Sequence, residues 1–209
     1  MSFSIPALYA IIDPAQTRGR SPVAVCEDLL SAGVRLIQYR DKRASPRELF
    51  RGSVELAKRV REAQGVFIVN DRADVALAAS ADGVHLGQND LPVELARRIL
   101  NPGKWIGCST HHLAQVIEAD RSSADYVAFG PIFPTGSKER PDPVVGLGGL
   151  RQAREATRKP LVAIGGITVE NARATMEAGA DAVAVISDLV GAEDVAARTR
   201  EFLEALEKL

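Results

Sequence analysis

Two aspartates follow two neighbouring apolar segments of the chain, and their chemistry and spacing suit a bound metal ion. Asp71 follows the apolar residues 66–69, and Asp90 follows residues 84–86. If both segments are adjacent parallel strands, the two carboxylates emerge at the same edge of the sheet, roughly 5 to 10 Å apart. Such a pair can anchor one Mg²⁺ whose other ligands are water and substrate phosphate oxygens. The alternative interpretation is that each aspartate caps the helix that follows it.

Two cations after the preceding apolar segment point to the same kind of substrate. Arg40 and Lys42 come just after residues 36–39, so in a sheet of consecutive parallel strands they lie beside the aspartate pair. A guanidinium binds phosphate through two parallel hydrogen bonds, and an ammonium adds a rotatable point charge. The two cations together suit a diphosphate better than a carboxylate. A solvated loop face is the alternative interpretation of this cluster.

Later apolar segments end in residues that suit a second phosphate. Gly165 and Gly166 follow the seventh segment, and Ser187 follows the eighth. Glycine lets the backbone approach an anion closely, and N–H groups at the start of a helix can bind it. Close helix packing is the alternative for the glycine pair. Ser109, after the fifth segment, offers a hydroxyl where a helix begins, and capping of that helix is its alternative role.

The connection over residues 131–147 is long and irregular, which is typical of a lid or a binding loop. Gly136 is a candidate hinge, and Thr135 and Ser137 offer hydroxyls. Lys138 can reach over the mouth of the site toward phosphate. A mobile surface loop with incidental charge is the alternative interpretation.

The three histidines are weaker candidates for chemistry. His111 and His112 could transfer protons, but adjacent residues at the start of a helix point in different directions. His85 falls inside an apolar segment, which is typical of a hydrogen-bonded core histidine. The metal and phosphate sites therefore carry the functional hypothesis.

Eight apolar segments of strand length must position these residues. They do not alternate apolar with polar residues, and such continuous runs predict strands buried on both faces. Helical patterns fill most of the intervals, with cap signals such as Ser45 and Glu48. The alternation predicts a single (β/α)₈ barrel domain over residues 1–209, with an open doubly wound sheet as the alternative. The eight segments are residues 8–12, 36–39, 66–69, 84–86, 105–108, 126–129, 161–164 and 182–186.

Composition limits the partners of the chain. Its 209 residues include 26 Lys plus Arg and 27 Asp plus Glu, so the net charge of −1 favours neither nucleic acid nor an anionic membrane. Cys26 and Cys108 have neither metal spacing nor disulfide density, which suits a reducing compartment. No leader pattern and no long apolar stretch is present. We therefore expect a cytoplasmic protein that acts on small molecules.

Seven segments, taken in order, resemble the motifs of the thiamine-phosphate synthase family. One alone is weak, but seven in order are specific, and the resemblance extends over residues 8–206. It implies a (β/α)₈ barrel transferase that joins a hydroxymethylpyrimidine diphosphate to a thiazole monophosphate, or to the carboxylated thiazole. It also implies one Mg²⁺ per subunit and departure of the diphosphate before the thiazole nitrogen attacks. The matching segments are residues 38–42, 69–72, 85–90, 107–110, 130–138, 164–167 and 185–187.

The same resemblance implies roles for individual residues. Asp71 and Asp90 resemble the Mg²⁺ ligands. Arg40, Lys42, Ser109 and Lys138 resemble catalytic residues that stabilise the leaving diphosphate. Eight residues of this sequence resemble the family's site for the pyrimidine diphosphate. They are Gln38, Tyr39, Arg40, Asp41, Lys42, Asn70, Ser109 and Lys138. Six residues resemble the family's site for the thiazole phosphate. They are Thr135, Gly136, Ser137, Gly166, Ile186 and Ser187.

Other functions are compatible with parts of this pattern. A thiazole tautomerase of the same superfamily would share the barrel and use a histidine for proton transfer, but it would not need the diphosphate cations or the metal pair. A non-catalytic phosphate-binding barrel would need no metal. An isomerase of phosphorylated sugars would need a positioned acid and base. The sequence is also compatible with a homo-oligomer.

Overall fold

Eight parallel strands close into a barrel in the computed structural model, which describes residues 5–136 and 142–207. Each strand pairs with the next along the chain, and the pairing of the first strand with the eighth closes the barrel. This closure excludes the open sheet and confirms the predicted (β/α)₈ fold. The strands are β1 Leu8–Ile12, β2 Leu36–Tyr39, β3 Val66–Asn70, β4 Gly83–Leu86, β5 Trp105–Thr110, β6 Tyr126–Phe129, β7 Leu161–Ile164 and β8 Ala182–Val185.

Helices follow the strands and form the outer layer of the barrel. The first helix begins after a short 3₁₀ turn over Pro14–Gln16, and a four-residue helix follows β8 directly. None of the helices in the described ranges is long and apolar enough to cross a membrane. The helices are α1 Pro22–Ser31, α2 Pro46–Glu62, α3 Ala73–Ala78, α4 Val93–Ile99, α5 Leu113–Arg121, α6 Gly146–Ala156, α7 Val169–Glu177, α8 Ser187–Val190 and α9 Val195–Glu207.

The strands are buried on both faces, as their continuous apolar sequence predicts. Inside the barrel, a cluster that includes Tyr9, Leu36, Ile68 and Tyr126 fills the interior. The intervening residues, such as Ile37, pack outward against the helices. This alternation decides which side chain at each strand end faces the mouth of the barrel.

Local signals fix where several helices begin. The Ser45 hydroxyl accepts a hydrogen bond from the Glu48 backbone N–H, and the Glu48 carboxylate accepts one from the Ser45 N–H, so the predicted capping box of α2 is present. Ser21 caps α1 through its side-chain oxygen alone, which accepts a hydrogen bond from the N–H of Ala24.

Two strands extend beyond their apolar segments. β3 continues through Asn70, which is in register with His85, and β5 continues through Thr110, in register with Phe129. The backbone of a polar residue pairs as well as that of an apolar one, so the strand ends later than hydrophobicity indicates. The consequence is that Asn70 and Ser109 belong to rigid strands rather than to loops.

Candidate active site

A cavity opens at the carboxyl ends of the strands, where (β/α)₈ barrels carry their active sites. Residues from several strands and from the connections after β5, β6 and β7 line it. The structure brings together many of the predicted site residues there, from both proposed substrate sites. They are Gln38, Arg40, Asn70, Ser109, Thr135, Gly166, Ile186 and Ser187.

Arg40 is held at the cavity by a carboxylate that sequence reasoning missed. Its guanidinium pairs with Asp13, which follows β1 directly and is almost completely buried. The other carboxylate oxygen of Asp13 accepts a hydrogen bond from the Ala15 N–H at 3.0 Å, which caps the 3₁₀ turn. Asp13 is thus fixed at both oxygens and orients Arg40.

Lys42 and Asp71 form an ion pair at the edge of the mouth. The Asp71 backbone lies in the left-handed region with φ +63°, and its N–H donates to the His85 carbonyl at 2.7 Å. That bond connects the end of β3 to β4. It turns the Asp71 side chain toward the cation that follows β2.

Asp90 lies next to Asp71, as the strand-end prediction requires. One Asp90 oxygen accepts the Gly87 N–H at 2.7 Å, which closes the turn after β4. Burial raises the pKa of Asp90, and the neighbouring Asp71 carboxyl raises it further. Two carboxylates this close repel each other when both are charged, and a divalent cation between them would relieve that repulsion.

The structure also bears on the capping alternative for these aspartates. Helix α3 has Arg72 at its N-cap position and α4 has Pro92, and neither helix has a side-chain cap hydrogen bond. Asp71 and Asp90 therefore cap neither helix. Within the described ranges, no group of three or more His, Cys, Asp or Glu side chains is arranged to hold a metal. A cation at this pair would need oxygens from water or substrate, as Mg²⁺ commonly does.

Tyr39 and Asp41 do not line the main cavity, but Asp41 borders the groove that Arg40 and Lys42 also line. Tyr39 alternates with Gln38 along β2, so its ring packs outward near Gly52 of α2. Burial, followed by nearby Asp41, raises the pKa of Tyr39 to about 12. Asp41 accepts hydrogen bonds from the Tyr39 hydroxyl at 3.3 Å and from the N–H groups of Arg43 and Ala44 at 3.0 Å. Both residues therefore shape the loop that presents Arg40 and Lys42.

A chain of hydrogen bonds crosses the barrel beneath the cavity. Gln38 Nε2 donates to Tyr9 Oη at 2.7 Å, and Tyr9 Oη lies 2.9 Å from Tyr126 Oη. His85 Nδ1 lies 3.1 Å from Tyr126 Oη, and His85 Nε2 lies 2.8 Å from Ser109 Oγ. His85 is thus the hydrogen-bonded core histidine expected from its position. Burial raises the pKa of both tyrosines far above the usual range.

The opposite side of the cavity is bordered by glycine backbone and the start of α8. Gly166 has φ +63°, and a Cβ there would lie 2.5 Å from the Pro134 carbonyl oxygen. Only glycine fits this backbone and this spacing. Ile186 and Ser187 lie at the beginning of α8 and line the same cavity.

The start of the predicted lid is tied to the barrel. The N–H of Ile132 donates to the Ile164 carbonyl at 2.9 Å, and that of Phe133 donates to the Gly165 carbonyl at 3.0 Å. Thr135 lines the main cavity, and Gly136 borders a groove beside Arg40 and Lys42. The predicted residues Ser137 and Lys138 lie outside the described residues. The lid function of residues 131–147 stays a prediction.

The two adjacent histidines diverge, as expected. His111 lines the cavity, and its Nδ1 donates to the Gly130 carbonyl at 2.7 Å while its Nε2 lies 3.5 Å from Asp142. His112 is exposed at the N-cap position of α5 and makes no capping bond with its side chain. The two histidine side chains therefore do not form an acid–base pair with each other.

Sequence reasoning missed Asp13, Tyr9 and Tyr126. Asp13 has the signal that identified the other acids, since it directly follows an apolar strand. The two tyrosines have no such signal, because an aromatic residue in an apolar strand is usually packing. Their hydroxyl contact joins residues 117 positions apart and arises only when the barrel closes.

The fold and the site together define a (β/α)₈ barrel enzyme whose cavity is lined by Arg40 and glycine backbone. Lys42 borders the neighbouring groove, and among the described residues Asp71 and Asp90 line neither the cavity nor that groove. The family model described as thiamine monophosphate synthase matches residues 8–189. A thiamine-phosphate synthase of Koribacter versatilis is 48% identical over 207 residues, which cover 97% of this chain and 96% of that protein. A thiamine-phosphate synthase of Chloroflexus aurantiacus is 47% identical over 194 residues, which cover 93% of this chain and 89% of that protein.

Solved structures agree with the sequence comparisons. A thiamine phosphate pyrophosphorylase from Pyrococcus furiosus superposes with a TM-score of 0.88 at 41% identity, covering 96% of this chain and 95% of that one. The chain belongs to the thiamine monophosphate synthase family. It is therefore a transferase with thiamine-phosphate synthase activity.

Proposed function

We propose that the chain joins a hydroxymethylpyrimidine diphosphate to a thiazole monophosphate in this one cavity, giving thiamine phosphate and diphosphate. The bond between the pyrimidine methylene carbon and the diphosphate oxygen breaks first, and the electron pair leaves with the diphosphate. The thiazole nitrogen then donates its electron pair to the methylene carbon. No protein nucleophile takes part. The enzyme acts on small molecules, and we expect it to do so in the cytoplasm.

The diphosphate end of the first substrate is assigned to the side of the cavity near β2, β3 and β5. Arg40 and Lys42 neutralise charge that grows on the departing diphosphate, and Ser109 donates a hydrogen bond to it. Gln38 and Asn70 line the adjoining part of the cavity. Tyr39 and Asp41 support the loop, and Lys138 is assigned to the same group.

A Mg²⁺ ion is assigned to Asp71 and Asp90. Their neighbouring carboxylates provide the oxygen donors that this ion prefers. When bound, Mg²⁺ supplies positive charge for the diphosphate. Lys42 lies against Asp71, so its ammonium would add to the positive charge that a Mg²⁺ held by this pair would supply.

The thiazole phosphate is assigned to the opposite side of the cavity. Gly166 brings backbone close to the ligand, and Ser187 supplies a hydroxyl and the N–H groups at the start of α8. Ile186 contributes an apolar wall, and Thr135 and Ser137 complete this group. Gly136, which the family resemblance also assigns to the thiazole phosphate, borders the groove beside Arg40 and Lys42 instead. This separation holds the thiazole nitrogen in line with the methylene carbon.

One observation carries the proposal: the same cavity has Arg40 and Ser109 on one side and Gly166 and Ser187 on the other. We would incubate the protein with both substrates and Mg²⁺ and measure thiamine phosphate and diphosphate. We expect both products in equal amounts. Conversion of the thiazole phosphate into an isomer, without pyrimidine transfer, would instead favour the tautomerase function.

Single-residue variants separate the two halves of the cavity. Arg40→Ala should lower kcat for thiamine phosphate formation and leave binding of thiazole phosphate unchanged. Ser187→Ala should raise the KM for thiazole phosphate and leave that for the pyrimidine diphosphate unchanged. If both variants affected only thiazole phosphate, the assignment of the diphosphate side would be wrong.

A further inference from the structure

The hydrogen-bond chain between Gln38 and Ser109 can run in either of two directions, because each hydroxyl and ring nitrogen in it can donate or accept. The Gln38 amide nitrogen donates to Tyr9 Oη, so the Tyr9 hydroxyl hydrogen is free to bind Tyr126 Oη. In that direction the Tyr126 hydroxyl hydrogen binds His85 Nδ1, which is then the unprotonated ring nitrogen. His85 Nε2 then carries the ring proton and donates a hydrogen bond to Ser109 Oγ. Ser109 therefore directs its own hydrogen away from His85.

The barrel is built to accommodate this chain. Tyr9 and Tyr126 are fully buried, and their rings meet edge to face with centroids 6.0 Å apart. The His85 ring stacks on Tyr126 at 5.6 Å. A Cβ at Gly107 would lie 2.4 Å from Tyr126 Oη, so glycine at this position makes room for the hydroxyl. The links are therefore held by packing and by hydrogen bonding.

The direction matters because the two ends of the chain lie in the cavity. Gln38, Tyr9, His85 and Ser109 all line it, whereas Tyr126 lies behind them. If the chain ran in the opposite direction, the Ser109 hydrogen would bind His85 and only oxygen lone pairs would face the ligand. Lone pairs repel a diphosphate, whereas an oriented O–H stabilises its developing charge.

We propose that Gln38 sets the direction of this chain, so that Tyr9, Tyr126 and His85 act as positioning residues that present the Ser109 hydroxyl hydrogen to the departing diphosphate. This inference rests on the proposed function, which assigns the diphosphate to the side of the cavity that contains Ser109. The chain holds the hydroxyl in its donating orientation before substrate binds. Less reorganisation is then needed when the bond breaks.

The tautomer of His85 is the direct test, because ¹⁵N NMR distinguishes a protonated ring nitrogen from an unprotonated one. With labelled histidine, the three histidines are assigned by single substitution. At neutral pH and without substrate, we expect His85 to be a single tautomer protonated at Nε2. Protonation at Nδ1 would overturn the proposal.

Gln38→Met removes the donor at the start of the chain, and it should allow both tautomers to form, so that the two ring-nitrogen signals converge. An unchanged tautomer in Gln38→Met would mean that Gln38 does not set the direction.

Activity measurements test whether the chain acts through Ser109. Tyr126→Phe keeps the ring but breaks the chain at a residue that does not line the cavity, and we expect kcat to fall about tenfold with little change in either KM. The matched control is Thr175→Val, which removes another fully buried hydroxyl, in α7, and should leave kcat unchanged. In a Ser109→Ala background, Tyr126→Phe should have no further effect. An equal loss in that background would overturn the proposal.

The failure of this inference can be distinguished from the failure of the proposed function. A fully active Ser109→Ala enzyme would contradict the role of Ser109 in diphosphate departure. An enzyme that depends on Ser109 but holds His85 protonated at Nδ1 would contradict only the direction of the chain.

Discussion

At the scale of single residues, each of the two described cations of the site is held in place by an ion pair with an acidic side chain. Arg40 pairs with Asp13, and Lys42 pairs with Asp71. An unpaired guanidinium on a loop samples many rotamers, whereas Asp13 fixes one edge of Arg40 and leaves its other N–H groups for an anion. Each pairing lowers the net positive charge of the site but keeps the cation in place.

Asp13→Asn tests this role of the buried acid. The asparagine side-chain oxygen can still accept the Ala15 N–H, so the 3₁₀ turn is kept, but the charge that orients Arg40 is lost. A charge-assisted hydrogen bond contributes about 1.5–3 kcal/mol, so kcat/KM for the pyrimidine diphosphate should fall roughly 10- to 100-fold. Asp125→Asn, which weakens the Arg97 pair at the opposite end of the barrel, is the control and should leave kcat/KM unchanged. An undiminished kcat/KM in Asp13→Asn would show that Arg40 needs no such partner.

The two metal-site aspartates give a second prediction at this scale. Asp71→Asn and Asp90→Asn each remove one anionic oxygen donor, so the Mg²⁺ concentration needed for half-maximal activity should rise at least about tenfold. Titrating activity with MgCl₂ measures this. Asp74→Asn, at an exposed acid in the first turn of α3, should leave the titration curve unchanged. Unaltered Mg²⁺ dependence in both site variants would contradict the assignment.

At the scale of the elements, the cavity depends on backbone that only glycine permits. The connection after β7 passes under the start of the β6–α6 connection so closely that a Cβ at Gly166 would lie 2.5 Å from the Pro134 carbonyl oxygen. The end of β7 accepts a hydrogen bond from the Ile132 N–H, and the connection after it accepts one from the Phe133 N–H. The positions of these two connections are therefore coupled, so a shift of one should displace the other.

Gly166→Ala should disturb that contact directly. The added methyl group meets backbone, and φ +63° is strained for alanine, so the connection must shift. The KM for thiazole phosphate should rise about tenfold or more, with a smaller effect on the KM for the pyrimidine diphosphate. Gly148→Ala in α6 is a matched control, because its added Cβ meets no atom of the described residues within 4 Å outside its own stretch of helix, and it should leave both KM values unchanged. Equal effects of the two substitutions would contradict this account.

At the scale of the whole molecule, particular residues show how far sequence reasoning reaches. The buried strands could be predicted because their apolar runs are continuous, and the proximity of Asp71 to Asp90 followed from parallel strand order. The outward position of Tyr39 follows from its alternation with Gln38, but its contact with Asp41 depends on how the loop folds. The Tyr9–Tyr126 bond depends on closure, which brings β1 and β6 together across the barrel interior.

Closure also couples the site to global stability, because the residues assigned to the diphosphate come from β2, β3, β5 and their connections. A ligand that binds only the folded barrel at 100 times its Kd stabilises it by about 2.7 kcal/mol, which corresponds to a rise of roughly 5–10 °C in Tm for a chain of this size. Inorganic diphosphate with Mg²⁺ should produce such a rise in differential scanning calorimetry, and diphosphate alone should produce much less. In Asp71→Asn the two curves should nearly coincide, since the metal no longer adds to binding. A Mg²⁺-dependent rise of the same size in that variant would mean that the metal binds with the diphosphate elsewhere on the barrel.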